Sequence, residues 1–105
     1  MNLNDFANDC LEISKRRTDL EESSVLDYLK HYSGEVLEAV DAYNNYQLAL
    51  IFSENEDSLK EIKDDFSLEL ADIIICVLLC CAKEGIDIEK ALQDAMEKNK
   101  KNKRT

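Results

Sequence analysis

Two pairs of acidic residues in this chain have the types and the spacing to do chemistry together. Glu35 and Glu38 are three residues apart in "HYSGEVLEAVDAYNN", and Glu69 and Asp72 repeat that spacing in "LELADIIICVLLCCA". Residues three apart share one face of an α-helix, so the two carboxylates of each pair project together. Both pairs border apolar residues, where an ionised acid without a partner is costly.

A divalent cation would remove the repulsion between four converging carboxylates. Oxygen ligands alone favour Mg²⁺, with Mn²⁺ as the alternative. A redox di-iron bundle is disfavoured because it draws histidines from E-x-x-H pairs, and His31 is the one histidine of the chain. His31 lies one turn before Glu35, where it either touches a substrate or forms a structural hydrogen bond. Asp94 and Glu97 have the same spacing, so spacing alone also occurs on solvated faces.

Helices are the elements that must position these acids. The 105 residues include no proline and two glycines, which leaves little turn punctuation for strands. The predicted fold class is all-α, a four-helix antiparallel bundle-type subunit, with residues 1–105 forming one domain.

Capping signals set the expected boundaries of the four helices. Asn2 or Asn4 caps the first helix, which fades near "KRRT". Capping boxes at 18–21 and 58–61 are expected to open the second and third helices. The second helix runs to Phe52, with an apolar stripe of Val25, Leu29, Tyr32, Val36, Val40, Tyr43 and Leu50. The third helix ends at Gly85, and Asp87 caps a fourth helix whose expected inner face is Ile88, Ala91, Leu92, Ala95 and Met96.

The turn between the second and third helices decides whether the acid pairs meet. The midpoint between the pairs falls at about residue 53.5, whereas the "SENEDS" turn is centred at about 55.5. The mismatch of about four residues, or roughly 6 Å, is small enough for a kink or an uneven loop to absorb. We therefore expect the two pairs to face each other across one helix–helix contact.

The net charge of −10 argues against a nucleic-acid partner, which needs a basic footprint. The third helix is apolar almost all round from Leu68 to Ala82, so a homodimer or homotetramer is expected to cover it. The basic tail, about 100–105, is expected to be a frayed, solvated end. Cysteines 10, 76, 80 and 81 are interpreted as small core residues in a reducing cytoplasm. With no signal pattern and no membrane-length apolar run, the predicted location is cytoplasmic, with no membrane partner.

The segment "GEVLEA", followed by "LELADIIICVLLCCAKEGIDIEKALQDAMEKNKK", resembles the MazG-like all-α NTP pyrophosphohydrolases, whose pattern is E-E-x-x-E and then E-x-x-D. The resemblance covers about residues 29–103. It implies that Mg²⁺ is held by Glu35, Glu38, Glu69 and Asp72. It also implies that Asn99 lies at the phosphates or the sugar of a nucleotide, and that the subunits form a dimer or a dimer of dimers.

Three positions depart from the family pattern. Gly34 replaces the first glutamate of E-E-x-x-E, and Leu68 replaces an acid that often precedes E-x-x-D. Ala95 stands where relatives often carry a lysine, and Lys98, Lys100 or Lys103 could take its place. The aromatic and glutamine residues that many members use to recognise the base have no clear match.

The resulting prediction is a Mg²⁺-dependent nucleoside triphosphate pyrophosphohydrolase that cleaves a (d)NTP to a (d)NMP and pyrophosphate. Glu35 or Glu38 would deprotonate the attacking water. Lys98, Asn99 and His31 are the predicted substrate-binding residues. The alternative is a non-catalytic helical regulatory or adaptor module that retains the bundle, which Ala95 and the missing outer acids suggest.

Overall fold

The chain is built from four α-helices. The computed structural model describes residues 1–17, 24–52 and 55–102, except for the side chains of Arg17 and Asn102. The helices are α1 (Leu3–Arg17), α2 (Val25–Phe52), α3 (Glu56–Glu84) and α4 (Ile88–Asn102), and the described residues include no strand. The all-α prediction is confirmed. Across these ranges, no helix is both long enough and apolar enough to cross a membrane.

Helices α2 and α3 form a long antiparallel hairpin. Asn55 caps α3, because its side-chain oxygen accepts hydrogen bonds from the backbone N–H groups of Asp57 (2.8 Å) and Ser58 (3.3 Å). The capping box predicted at Ser58 is therefore wrong, since α3 begins at Glu56. The hairpin turn is centred midway between Phe52 and Glu56, at residue 54, close to the midpoint of the two acid pairs.

The start of α2 has a cap of its own. The capping box predicted at 18–21 lies outside the described residues, and α2 begins at Val25. Ser24 and Asp27 form reciprocal hydrogen bonds at this helix start. The Ser24 N–H donates to Asp27 Oδ2 at 2.9 Å, and the Asp27 N–H donates to Ser24 Oγ at 3.2 Å. A reciprocal cap of this kind uses two backbone donors that the helix itself leaves unpaired.

Asn4 joins the first helix to the last. Its Oδ1 accepts from the Ile88 N–H at 2.9 Å, and its Nδ2 donates to Asp87 Oδ1 at 2.9 Å and to Glu89 Oε2 at 3.1 Å. Asn2 caps α1 by accepting from the Asp5 N–H. Asn4 therefore serves α4 rather than α1. Gly85 ends α3 in the left-handed conformation, with φ of 66°, as predicted.

The buried core is small and lies where α3 meets α1 and α2. Its residues are Ala7, Cys10, Ala39, Cys76, Leu78, Leu79 and Cys81. Near the turn, Phe66 of α3 contacts Tyr43 and Tyr46 of α2, with ring centroids 5.5 and 6.4 Å apart. The core role of the cysteines is confirmed for the three in this set, while Cys80 is half-buried.

Much apolar surface stays exposed in the subunit. The expected inner face of α4 is wrong for Leu92 (50% exposed) and Met96 (58% exposed), because α4 packs mainly against α1 near its start. The predicted α2 stripe is also exposed at Leu29, Val40, Tyr43 and Leu50. The radius of gyration is 16.8 Å, against about 13 Å for a compact chain of this length. The chain is therefore more extended than a compact domain of the same length.

Candidate metal centre

Three carboxylates converge at the middle of the α2–α3 hairpin. One oxygen from each of Glu35, Glu69 and Asp72 lies within 4.8 Å of the other two. The helix ends at Phe52 and Glu56 set this register, because residues equally distant from the midpoint between them lie level in an antiparallel pair. Glu35 then lies beside Asp72, and Glu38 beside Glu69. The four-residue mismatch expected from the sequence is absent because α3 starts earlier than the Ser58 cap would allow.

Two oxygens of this cluster are buried without a partner. Within the described part of the chain, Glu35 Oε2 and Glu69 Oε2 are inaccessible to solvent and accept no hydrogen bond. The Glu35 side chain is only 12% exposed. A buried carboxylate oxygen without a donor is costly. Carboxylate oxygens that face one another and accept no hydrogen bond are hard ligands, and such a ligand set fits Mg²⁺ or Mn²⁺.

The electrostatics of the cluster point the same way. Burial raises the pKa of Glu35, and the charge of Glu38 raises it further, while His31 opposes the shift. The pKa of Glu69 is raised by burial and then by the charges of Glu38, Asp72 and Glu35. Without a cation the folded protein therefore holds protons at the cluster more readily than free carboxylates would.

Glu38 is the outer member of the group. It is exposed and is not among the three carboxylates that share the 4.8 Å limit. It is nevertheless close enough for its charge to raise the pKa of both Glu35 and Glu69. Glu38 thus has access to solvent and contact with the cluster, which is the position that a proton acceptor for water requires.

His31 contacts the cluster from the solvent side. Its Nε2 lies 3.0 Å from Glu35 Oε1, and its side chain is 67% exposed. The histidine leaves the second oxygen of Glu35 for another ligand.

A cavity of about 750 Å³ adjoins the cluster and shares Glu35, Asp72 and His31 with it. Helices α1, α2 and α3 each supply one wall. The remaining lining residues are Phe6, Asp9, Cys10, Ile13, Ser14, Asp27, Tyr28, Ile75, Cys76 and Leu79. A largely apolar cleft of this size beside a few polar groups is typical of a small-molecule site.

Sequence reasoning missed the cavity and two of the α2 residues that line it, Asp27 and Tyr28, whereas His31 and Glu35 were predicted site residues. Asp27, His31 and Glu35 are spaced at i, i+4 and i+8, so they share one face of α2. That regular spacing was a readable signal. The wall from α1 had no comparable signal, because its position depends on how α1 packs on α3.

The remaining predicted site residues, Lys98 and Asn99, lie on α4. Both are exposed, and neither is among the described residues that line the cavity. Their role in substrate binding stays a prediction.

The comparison with protein families agrees with the motif. The model for the MazG nucleotide pyrophosphohydrolase domain matches residues 20–105. No curated protein and no solved structure matches the chain significantly. The matched region includes both acid pairs and spans most of the 105 residues. The chain therefore belongs to the MazG nucleotide pyrophosphohydrolase family.

Proposed function

We propose that the protein is a Mg²⁺-dependent nucleoside triphosphate pyrophosphohydrolase, which releases a (d)NMP and pyrophosphate. The observation that carries this proposal is the pair of orphaned buried oxygens, Glu35 Oε2 and Glu69 Oε2, inside a cluster of carboxylates. A protein of net charge −10 repels a triphosphate unless a cation stands between them. Glu35, Glu38, Glu69 and Asp72 are the proposed ligands of Mg²⁺, and Mn²⁺ has the same ligand preference.

Mg²⁺ at this cluster would neutralise phosphate oxygens and stabilise the charge that develops on the pyrophosphate leaving group. The chain supplies the base. Glu38 is exposed and can accept a proton from a water molecule, while the buried Glu35 is held by His31. The water oxygen then bonds to the α-phosphorus, and the bond from that phosphorus to the α–β bridging oxygen breaks. We assign the base to Glu38, with Glu35 as the other candidate.

Exposed apolar surface supports a homodimer or homotetramer. Leu92 and Met96 are half exposed on α4, next to the cationic end of that helix with Lys98, Lys100 and Lys101. A second copy could cover this face. It would also place Lys98 and Asn99 near the acidic cluster of its partner, where a cation and an amide can bind phosphate oxygens. His31 would contact the same substrate from the cavity wall.

The alternative of a non-catalytic helical module is not favoured. A module that has lost its chemistry has no need for acids whose buried oxygens lack hydrogen-bond partners, since replacing them with apolar residues would relieve a cost.

An assay of pyrophosphate release tests the proposal. The purified chain is incubated with Mg²⁺ and a panel of NTPs and dNTPs, and pyrophosphate is measured separately from phosphate. We expect pyrophosphate release that falls at least about a hundredfold in Glu38→Gln and in Asp72→Asn. Glu97→Gln is the matched control on α4, where the same acid spacing lies on an exposed face. No turnover across the panel, or equal turnover in all three variants, would refute the enzyme.

A further inference from the structure

Two carboxylates outside the cluster line the cavity beside it. They are Asp9 of α1 and Asp27 at the start of α2, and both are exposed. Among the described lining residues, Ser14, Tyr28 and His31 are the other side chains outside the cluster with a polar oxygen or nitrogen, and none is a lysine or an arginine. At neutral pH an ionised carboxylate only accepts hydrogen bonds. A ligand group that contacts Asp9 or Asp27 must therefore present a donor.

The separation between Asp27 and the cluster matches the length of a nucleoside. Asp27 precedes Glu35 by eight residues on the same helix face, which is about 12 Å along the axis. If the triphosphate lies on the cluster, the base extends along the cavity toward Asp27. Apolar walls from Phe6, Ile75 and Leu79 can cover the faces of a planar ring.

We propose that Asp9 and Asp27 favour nucleotides whose base carries an exocyclic amino group at its pairing edge (cytosine, adenine and guanine) over thymine and uracil, which carry none. This inference rests on the proposed function. Cytosine presents N4–H₂ and adenine presents N6–H₂ as donors, whereas thymine and uracil present O4 as an acceptor at the equivalent position. A carboxylate accepts from the amino group and repels the carbonyl oxygen. A carboxylate at the pairing edge therefore discriminates by gaining one hydrogen bond from the amino group and by repelling the carbonyl oxygen of the wrong base.

Asp27 is held ready for this role. Its Oδ2 accepts from both the N–H and the hydroxyl group of Ser24, at 2.9 and 3.1 Å. The hydrogen bonds from Ser24 lower the pKa of Asp27. The side chain is thus fixed by one oxygen, and the other remains for the base. Asp27→Asn would place an amide NH₂ donor there, which suits O4 of uracil.

The test compares dCTP with dUTP, because the two substrates have the same ring size and the same sugar. We expect kcat/KM for dCTP to exceed that for dUTP by at least about tenfold. The ratio should fall at least about fivefold in Asp9→Asn or Asp27→Asn, and Asp27→Asn should gain on dUTP in absolute terms. Asp5→Asn is the control, since Asp5 lies on α1 one turn before Asp9 and does not line the cavity. Circular dichroism checks that each variant is folded.

A wild-type ratio within about twofold would overturn the selection of amino bases, and so would a ratio that neither substitution changes. In both cases pyrophosphate release continues, so the proposed function stands. If no nucleotide of the panel releases pyrophosphate, the proposed function itself fails, and the selectivity fails with it.

Discussion

Removing the side chain of Asn4 should loosen α4. Among the residues that the structure describes, Asn4 is the side chain that hydrogen-bonds α1 to the start of α4 through both its oxygen and its nitrogen. Asn4→Ala deletes a cap for the Ile88 N–H and two bonds to the carboxylates of Asp87 and Glu89. A lost cap costs about 1 kcal/mol. The two bonds to half-exposed or exposed acids add less than the cap, because solvent competes for both acids. The expected loss is more than about 1 kcal/mol, or at least roughly 4 °C in Tm.

The matched control is Asn2→Ala, because Asn2 caps only its own helix through the Asp5 N–H. It should cost about 1 kcal/mol or less. Urea unfolding followed by circular dichroism compares the two variants with wild type. The reasoning is refuted if Asn4→Ala is no less stable than Asn2→Ala.

The loss should also depend on pH with a definite sign. The hydrogen bond from Asn4 is the first cause of the lowered pKa of Asp87 in the folded protein. A lowered folded pKa stabilises the protein above the unfolded pKa, and this contribution disappears as the pH falls through the folded value. The difference in the free energy of unfolding between wild type and Asn4→Ala should therefore narrow on acidification. The part that remains comes from the lost cap of the Ile88 N–H.

Three further expectations concern the cluster, the exposed face and the start of α2. Because the pKa values of Glu35 and Glu69 are raised in the folded state, the Tm of the protein in EDTA should rise as the pH falls from neutral toward those values; a flat or falling Tm contradicts this. Leu92→Lys should shift the protein to a smaller species in light scattering, and a monomeric wild type would contradict this expectation. Ser24→Ala should cost about 1 kcal/mol in urea unfolding, since it breaks the reciprocal cap with Asp27, and a loss near zero would deny the cap that role.

The sequence predicted the convergence of acids better than it predicted the helix boundaries. The three-residue spacing of Glu35 with Glu38 and of Glu69 with Asp72 depends only on helix geometry, which holds in any tertiary setting. The turn was harder, because "SENEDS" contains several residues that can cap a helix. Asn55 takes the role in the structure, and its earlier position brings the two acid pairs level.

The cavity and the exposed faces could not be predicted in the same way. The wall containing Asp9 depends on where α1 packs, and α1 ends 39 residues before α3 begins (17 to 56). The apolar residues of α4, such as Leu92, are periodic and were assigned to the inside of the subunit. Periodicity identifies an apolar face without saying whether the same chain or another one covers it.

Binding of a divalent cation is the most direct test of the central claim that the carboxylate cluster is a metal site. Isothermal titration calorimetry with Mn²⁺, in the absence of nucleotide, measures it without relying on turnover. We predict saturable binding by the wild-type protein and by Asp94→Asn, which alters an exposed acid of α4. Glu69→Gln should abolish the binding, because it removes one of the three converging carboxylates. Equal binding by Glu69→Gln and wild type, or none by wild type, would contradict the account.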